Sequence, residues 1–404
     1  MKKQTKPWRR FRHRVVFALA AGILRPLCQW RYGIRPERFR QQGQRPYLIL
    51  FNHQTPFDQF FVCLSFRGPI YFIATEDIFS LGWVSSLISY LVAPIPIKKQ
   101  STDLTAVKTC IRVVREGGSI SLAPEGNRTY SGKTEYMNPA IATLARKLKL
   151  PIALYRIEGG YGSEPRWSDK VRRGKMRGYV AQVIEPEEYT DLTGQELCRR
   201  IQEGLFVDEG REGGLFRSEQ RAEYLERAVY VCPFCGLSKF ESHGNEVECL
   251  TCHRKIHYGA DKRLTGVGFD FPFPFTTGWY DYQKEFVNTL DLTAHTDAPL
   301  FTDRARMSRV LVKHRKIPLR QDARLCLYGD RITVDEEGDD PLTLSFADIR
   351  AIAVLGRNKL NVYHGEDVYQ FKGDKRFNAL KYVNLCFRCQ NIMRGDMDGK
   401  FLGL

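Results

Sequence analysis

A chain of 404 residues with 43% apolar and 27% charged residues is too apolar to be disordered and too long for a single core, so two or three packed domains are expected. The formal charge of +16 suits an anionic lipid surface or a nucleic acid, and its sign alone excludes neither. The excess is unevenly placed: the first hundred residues hold 16 Lys and Arg against 4 Asp and Glu, and no acid precedes Glu37.

Residues 1–34 begin with Lys2, Lys3, Lys6, Arg9, Arg10, Arg12 and Arg14 around Trp8 and Phe11, and lead into an apolar stretch over residues 15–24 closed by Arg25. Ten apolar residues cannot span a bilayer, which needs about 20. A secretory signal peptide has the same layout, and Ala18-Leu19-Ala20 resembles a cleavage site, but the cysteine pairs further on require a reducing compartment. The segment is therefore expected to lie in the membrane interface on the cytoplasmic face, with basic residues among the headgroups and an apolar face in the acyl boundary. A second uncharged run, residues 80–97, is interrupted by Gly82, Ser85, Ser86, Pro94 and Pro96. It predicts a buried or membrane-touching helix followed by a strand.

From residue 47 to about 206 short apolar runs (47–51, 70–74, 119–123, 151–157, 179–184) alternate with helical patterns such as 104–115. This predicts an α/β domain over residues 35–206 with a largely parallel sheet flanked by helices. Two of the runs lead straight into polar clusters, Asn52-His53 and Pro124-Glu125-Gly126-Asn127-Arg128, and ligands bind beyond the carboxyl ends of strands in such sheets. Thr55-Pro56 predicts a helix start with Asp58 at its third position. Asp58 would then serve the helix dipole, or orient the His53 imidazole so that its other nitrogen takes a proton. With no Ser or Cys placed as a nucleophile, His53 is expected to act on a substrate hydroxyl. Gly126 allows a tight turn, and Arg128 offers a forked donor suited to phosphate.

The His-x4-Asp and Pro-Glu-Gly-x-Arg motifs, 72 residues apart from His53 to Glu125, together resemble the lysophosphatidic acid and glycerol-phosphate acyltransferase family. Its signature pairs Asn-His-x4-Asp with Phe-Pro-Glu-Gly-Thr-Arg-Ser, and the resemblance covers roughly residues 35–206. It implies acyl transfer without an acyl-enzyme: His53 as general base, Asp58 orienting it, and acyl-CoA or acyl carrier protein as donor. Arg128 with Lys98 or Lys99 would hold the acceptor phosphate, Glu125 and Gly126 shaping the turn beneath it. Ala123 replaces the family's Phe, Asn127 its Thr, Ala93 its Gly before the basic residue, and that residue is Lys instead of Arg. These departures leave the His53–Asp58 pair intact and bear on the acceptor, expected to be lysophosphatidic acid or another lysophospholipid.

Residues 207–230 read as a charged helical linker. In residues 231–260, Cys232-x2-Cys235 and Cys249-x2-Cys252 are separated by thirteen residues, the spacing of a four-thiolate zinc ribbon, with zinc structural. His253 and His257 are expected outside the shell. The basic excess lies in the N-terminal arm while the ribbon itself carries Glu241, Glu246 and Glu248, which argues against nucleic acid. Residues 261–323 read as a connecting segment containing a helix over 279–290, and residues 324–404 as a β-rich module closed by a helix, resembling a pleckstrin-homology barrel. Cys386 and Cys389 fall in that helix as core residues. Protein contacts through this C-terminal half are expected. Two rival readings are an inactive membrane scaffold and a zinc-ribbon nucleic-acid-associated protein. Retention of His53, Asp58, Glu125 and Arg128 together speaks against decay.

Overall fold

The computed structural model describes residues 7–75, 79, 83–97, 104–211, 213–311 and 316–396. The run Leu-Ile-Leu-Phe forms β1 (Leu48–Phe51), buried at every position. Strand side chains alternate, so Leu48 and Leu50 enter one core while Ile49 and Phe51 enter another. Burial on both faces is why this strand reads as continuously apolar. With β2 (Ile70–Thr75), β3 (Ile95–Ile97), β4 (Ser119–Leu122), β5 (Ile152–Glu158) and β6 (Arg177–Ile184) it forms a six-stranded sheet in the order β3-β2-β4-β1-β5-β6. The first five strands are parallel, and β6 runs antiparallel on β5.

Helices α1 (Phe11–Tyr32) and α2 (Asp58–Ser65) cover one face through Cys28, Tyr32, Phe61 and Val62. α3 (Trp83–Val92) precedes β3, as the sequence predicts for residues 80–97. α4 (Leu104–Arg115) and α5 (Ala140–Leu148) lie on the opposite face. After β5 comes a single turn, α6 (Gly160–Ser163), and after β6 another, α7 (Pro186–Tyr189). α8 (Gly194–Leu205) completes the opposite face. Its start is fixed by a reciprocal capping box between Thr193 and Glu196, and it buries Leu197, Ile201 and Leu205 at i,i+4 spacing.

In the second half, β7 (Val231–Cys232) and β8 (Gly236–Leu237) form the first cysteine knuckle. β9 (Phe240–His243), β10 (Glu246–Cys249), β11 (Lys255–Tyr258) and β12 (Leu264–Gly266) make an antiparallel meander. α9 (Thr276–Thr289) follows at the place expected for it. A seven-stranded antiparallel sheet is built from β13 (Phe301–Val310), β14 (Lys316–Leu327), β15 (Arg331–Val334), β16 (Leu342–Ser345), β17 (Ile349–Leu355), β18 (Lys359–His364) and β19 (Asp367–Gly373). Its order is β16-β15-β14-β13-β19-β18-β17, and α10 (Leu380–Met393), which buries Cys386 and Cys389, closes the chain's described part.

Two features depart from the sequence reading. The residues 207–230 are not a helical linker: they contain one short 3-10 turn, Leu225–Arg227, and otherwise run irregularly. Three of their backbone donors are drawn off to the ribbon, Ala222 N to Gly244 O, Tyr224 N to Ser242 Oγ and Arg221 N to Asn245 Oδ1, so no continuous helical ladder forms. The antiparallel sheet also begins at Phe301, inside the segment read as a connection. The irregularities opposite Ala305–Ser308 take up their extra residues in β14, and β13 itself keeps its alternation, burying Phe301, Ala305 and Met307. Arg304, Arg306 and Arg309 on that strand nevertheless obscure the short apolar side in the sequence.

One core joins the halves. Tyr130, Tyr161 and Trp167 of the first half pack in the same cluster as Tyr258, Trp279 and Tyr382. The Trp167 indole donates to Tyr161 Oη at 3.0 Å, and Tyr161 bonds Thr276 Oγ1 at 3.0 Å.

Candidate active site

β4, β1 and β5 are adjacent and parallel, so the loops after them emerge side by side. Asn52 is fully buried and ties two of the strand ends together, giving a hydrogen bond to Ile157 O at 2.9 Å and receiving one from Ile157 N at 2.7 Å.

Beyond Asn52 the chain closes on Asp58, whose side chain is 0% exposed. Its Oδ2 accepts from Gln54 N at 2.6 Å, from Thr55 N at 3.0 Å and faces His53 Nδ1 at 2.8 Å, while Oδ1 accepts from the Thr55 hydroxyl at 2.7 Å. Asp58 opens α2 as its first residue, not the third. The Thr55 hydroxyl donates to the carboxylate instead of capping the helix, and the helix starts only where the carboxylate has folded back over the preceding turn. Such a fully bonded buried carboxylate fixes the imidazole. With Nδ1 engaged, Nε2 of the half-exposed His53 is the nitrogen left for a substrate.

The second loop turns at Gly126, whose φ of +72° favours glycine and whose N donates to Ala123 O at 3.0 Å. No atom lies within 4 Å of a Cβ placed there, so conformation, not space, requires the glycine. Glu125 is buried, and its carboxylate is held by backbone amides: Oε1 accepts from His53 N at 2.8 Å, Oε2 from Glu135 N at 3.3 Å. It therefore staples the two loops and points at no open space. Burial pushes its carboxyl up to about 8, against the pull of those amides. Arg128 is half-buried; its Nη1 is shielded from solvent and has no hydrogen-bond partner among the described residues. Thr129 N donates to His53 O at 3.2 Å, which keeps this loop against the first. Lys98 and Lys99 lie outside the described residues.

Sequence reasoning missed the third loop. Gly160 packs against the first loop so closely that a Cβ would sit 2.5 Å from Gln54 Cβ. Glu164, 1% exposed at its side chain, accepts from Arg31, Tyr32 and Arg357. Arg166 donates to Arg128 O at 2.9 Å. The signal was present: the apolar run over residues 151–157 ends in Gly159-Gly160, at the same edge of the sheet as the two clusters that were singled out.

In the second half of the chain, the Sγ atoms of Cys232, Cys235, Cys249 and Cys252 all lie within 4.8 Å of one another, with Cys232–Cys252 at 3.8 Å and Cys235–Cys249 at 3.6 Å. Thiolates about 2.3 Å from a tetrahedral zinc stand about 3.8 Å apart, so the four fit such an ion. His253 bonds Glu248 at 3.0 Å with its side chain 74% exposed, outside the shell.

Residues 34–156 match the family model described as Acyltransferase. The 1-acyl-sn-glycerol-3-phosphate acyltransferase of Bacillus subtilis (strain 168) is 21% identical over 136 residues, 34% of this chain and 65% of that protein. A chloroplastic 1-acyl-sn-glycerol-3-phosphate acyltransferase of Brassica napus is 25% identical over 164 residues, 40% of this chain and 46% of that protein. One from Arabidopsis thaliana is 23% identical over 204 residues, 49% and 56% of the two chains. The chain thus spans about half to two thirds of the curated relatives it matches. The crystal structure of the 1-acyl-sn-glycerophosphate acyltransferase PlsC from Thermotoga maritima aligns with a TM-score of 0.40 at 20% identity, over 48% of this chain and 78% of that one. His53, Asp58, Glu125 and Arg128 all fall within residues 34–156, the stretch that matches the Acyltransferase family model and is similar to the 1-acyl-sn-glycerol-3-phosphate acyltransferases.

Proposed function

We propose that the protein transfers a fatty acyl group from acyl-CoA or acyl carrier protein to a hydroxyl of a lysophospholipid, first of all lysophosphatidic acid, giving phosphatidic acid. The observation that carries this reading is the His53 Nδ1–Asp58 contact of 2.8 Å on a carboxylate with no solvent exposure. Asp58 holds Nδ1, and Nε2 takes the proton of the acceptor hydroxyl as its oxygen attacks the thioester carbonyl. The tetrahedral intermediate then collapses, and the departing thiolate leaves with the proton from His53. Arg128, with Lys98 or Lys99, holds the acceptor phosphate, while Glu125 and Gly126 keep the two loops in register.

The four cysteines hold one structural zinc in this reading, closing a shell that leaves no position for substrate. The β-rich module is read as pleckstrin-homology-like, which the strand order and the closing α10 support. The domain is placed on the cytoplasmic face of a membrane. No helix among the described residues is long and apolar enough to cross one. Instead, α1 turns Val15, Leu19, Ile23 and Leu27 outward at i,i+4 spacing, and neighbouring α3 adds Trp83, Leu87 and Tyr90. Arg12 bonds Tyr90 O at 3.0 Å and joins the two helices. Phe11 is 79% and Ile23 70% exposed, and an apolar face with basic neighbours is what an interfacial helix presents to lipid.

Incubating the purified full chain with labelled acyl-CoA or acyl carrier protein and a panel of lysophospholipids tests the reading. Formation of labelled phosphatidic acid is expected. Failure to acylate any acceptor with either donor, by protein of native melting behaviour, rejects it.

A further inference from the structure

Arg166 is 4% exposed and pairs with no carboxylate among the described residues. Its guanidinium is hung between two carbonyls: Nη1 donates to Arg128 O at 2.9 Å and Nη2 to Val354 O at 3.1 Å, over the Tyr130 ring at 4.3 Å. Val354 lies on β17, in the C-terminal module. One buried side chain therefore ties the loop that carries Arg128 to an element 188 residues beyond Arg166 itself. The turn after β17 then returns Arg357, which bonds Glu164 and meets Asp169 at 2.9 Å.

Charge around this junction does not balance. Glu164 is shared by Arg31 and Arg357, and Asp169 by Arg227 and Arg357. Among the described residues that leaves Arg128 and Arg166 without an ion-pair partner, and Arg128 Nη1 buried without a hydrogen bond. Burial, then the like charges of Arg166 and Arg357, push the Arg128 pKa down to about 10. Guanidiniums crowded together away from water are costly unless an anion joins them. The Arg128 loop is also bonded to the loop that carries the imidazole, through Thr129 N to His53 O.

We propose that the C-terminal module is a working part of the acceptor site: Arg166 acts as a positioning residue that holds the Arg128 loop, Arg357 adds to the local positive field, and the arginine cluster so formed selects a phosphate monoester. A monoester carries close to two negative charges at neutral pH, and a phosphodiester headgroup only one, so lysophosphatidic acid is preferred over lysophosphatidylcholine. This rests on the acyl-transfer reading above. The 3′-phosphate of CoA is also a monoester, and the test separates the two.

Full-length Arg357→Gln, Arg166→Met and Arg166→Lys are compared with wild type, varying lysophosphatidic acid, lysophosphatidylcholine and oleoyl-CoA in turn. Arg357→Gln and Arg166→Met should raise KM for lysophosphatidic acid by about tenfold or more, with kcat within about threefold and the other two KM values unchanged. Arg166→Lys should rescue little, because one ammonium cannot reproduce the fork across two carbonyls. Thermal shift gives an arm independent of turnover: sn-glycerol 3-phosphate should raise the Tm of wild type and not of Arg357→Gln, while glycerol raises neither. An unchanged KM for lysophosphatidic acid in both Arg357→Gln and Arg166→Met overturns the proposal. So does a rise confined to oleoyl-CoA, or a parallel loss of kcat and all KM values that follows a lowered Tm. A wild type that transfers to no acceptor, yet shows the Arg357-dependent shift, would keep the arginine cluster and discard the reaction.

Discussion

The loops that meet at His53 are held by opposite means. The first is closed within itself: every bond to the Asp58 carboxylate comes from residues 53–55. The second and third loops are held from afar, Glu125 by His53 and Glu135, the Arg128 carbonyl by Arg166, and Arg166 by Val354. On the proposed function, the fixed proton path is built locally, where six residues suffice to define it, and recognition is built from distant parts, where the rest of the chain can modify it.

His53→Ala tests the local half most directly. It should lower turnover by about 10³-fold or more with little change in Tm, since the ring is half-exposed and contributes one bond to Asp58. Asp58→Asn should cost about 10²-fold or more in turnover and also lower the Tm, because an amide cannot accept from four donors. A single-turnover assay with a melting curve separates the two variants; equal Tm losses would erase the contrast.

Replacing both Cys232 and Cys235 by Ser probes the distant half. Metal analysis should find one zinc per wild-type chain and none in the variant, with the ribbon losing its fold. The ribbon shares a core with Tyr161 and Trp167, so the KM for acceptor should rise before kcat falls. Loss of turnover on gentle chelation with the fold intact would instead make the metal catalytic.

Leu19→Glu with Ile23→Glu should reduce sedimentation with anionic vesicles by about tenfold, leaving the rate on detergent-dispersed acceptor unchanged. An unchanged sedimentation would remove α1 from the membrane account. The smallest effect concerns Glu125. Its folded pKa of about 8 stands above the ordinary 4.5, so the unfolded chain gives up its proton first and stability falls as pH rises from about 4.5 to 8. Glu125→Gln should flatten that fall in Tm, and an unaltered slope would show that the carboxyl is ionised throughout.

How much of this was legible in the sequence follows the same division. β1 and β4 announce themselves as apolar runs ending in polar clusters, and His53 with Asp58 is readable because its bonds span five residues. The cysteine spacing foretells the cluster of four sulfurs for the same reason. The helical linker was misread because Ala222, Leu225 and Val229 sit at helix-like intervals, yet they are buried by an irregular segment that bonds to the ribbon. β13 was hidden by its arginines, which leave only Phe301, Ala305 and Met307 as buried apolar positions. Arg166 and Arg357 carried no motif at all: their partners are backbone carbonyls and acids more than a hundred residues apart in some cases, and such pairings exist only once the chain has folded.

The core shared by Tyr130, Tyr161 and Trp167 with the second half also bears on what a broken chain would do. Residues 213–215 are exposed, whereas Phe216 just after them is buried, so a protease has its opening there. Cutting at that point would sever one covalent link and leave the buried aromatics interlocked. The two fragments would behave as a heterodimer that co-purifies and, expressed separately, reassembles, with neither piece a free-standing enzyme.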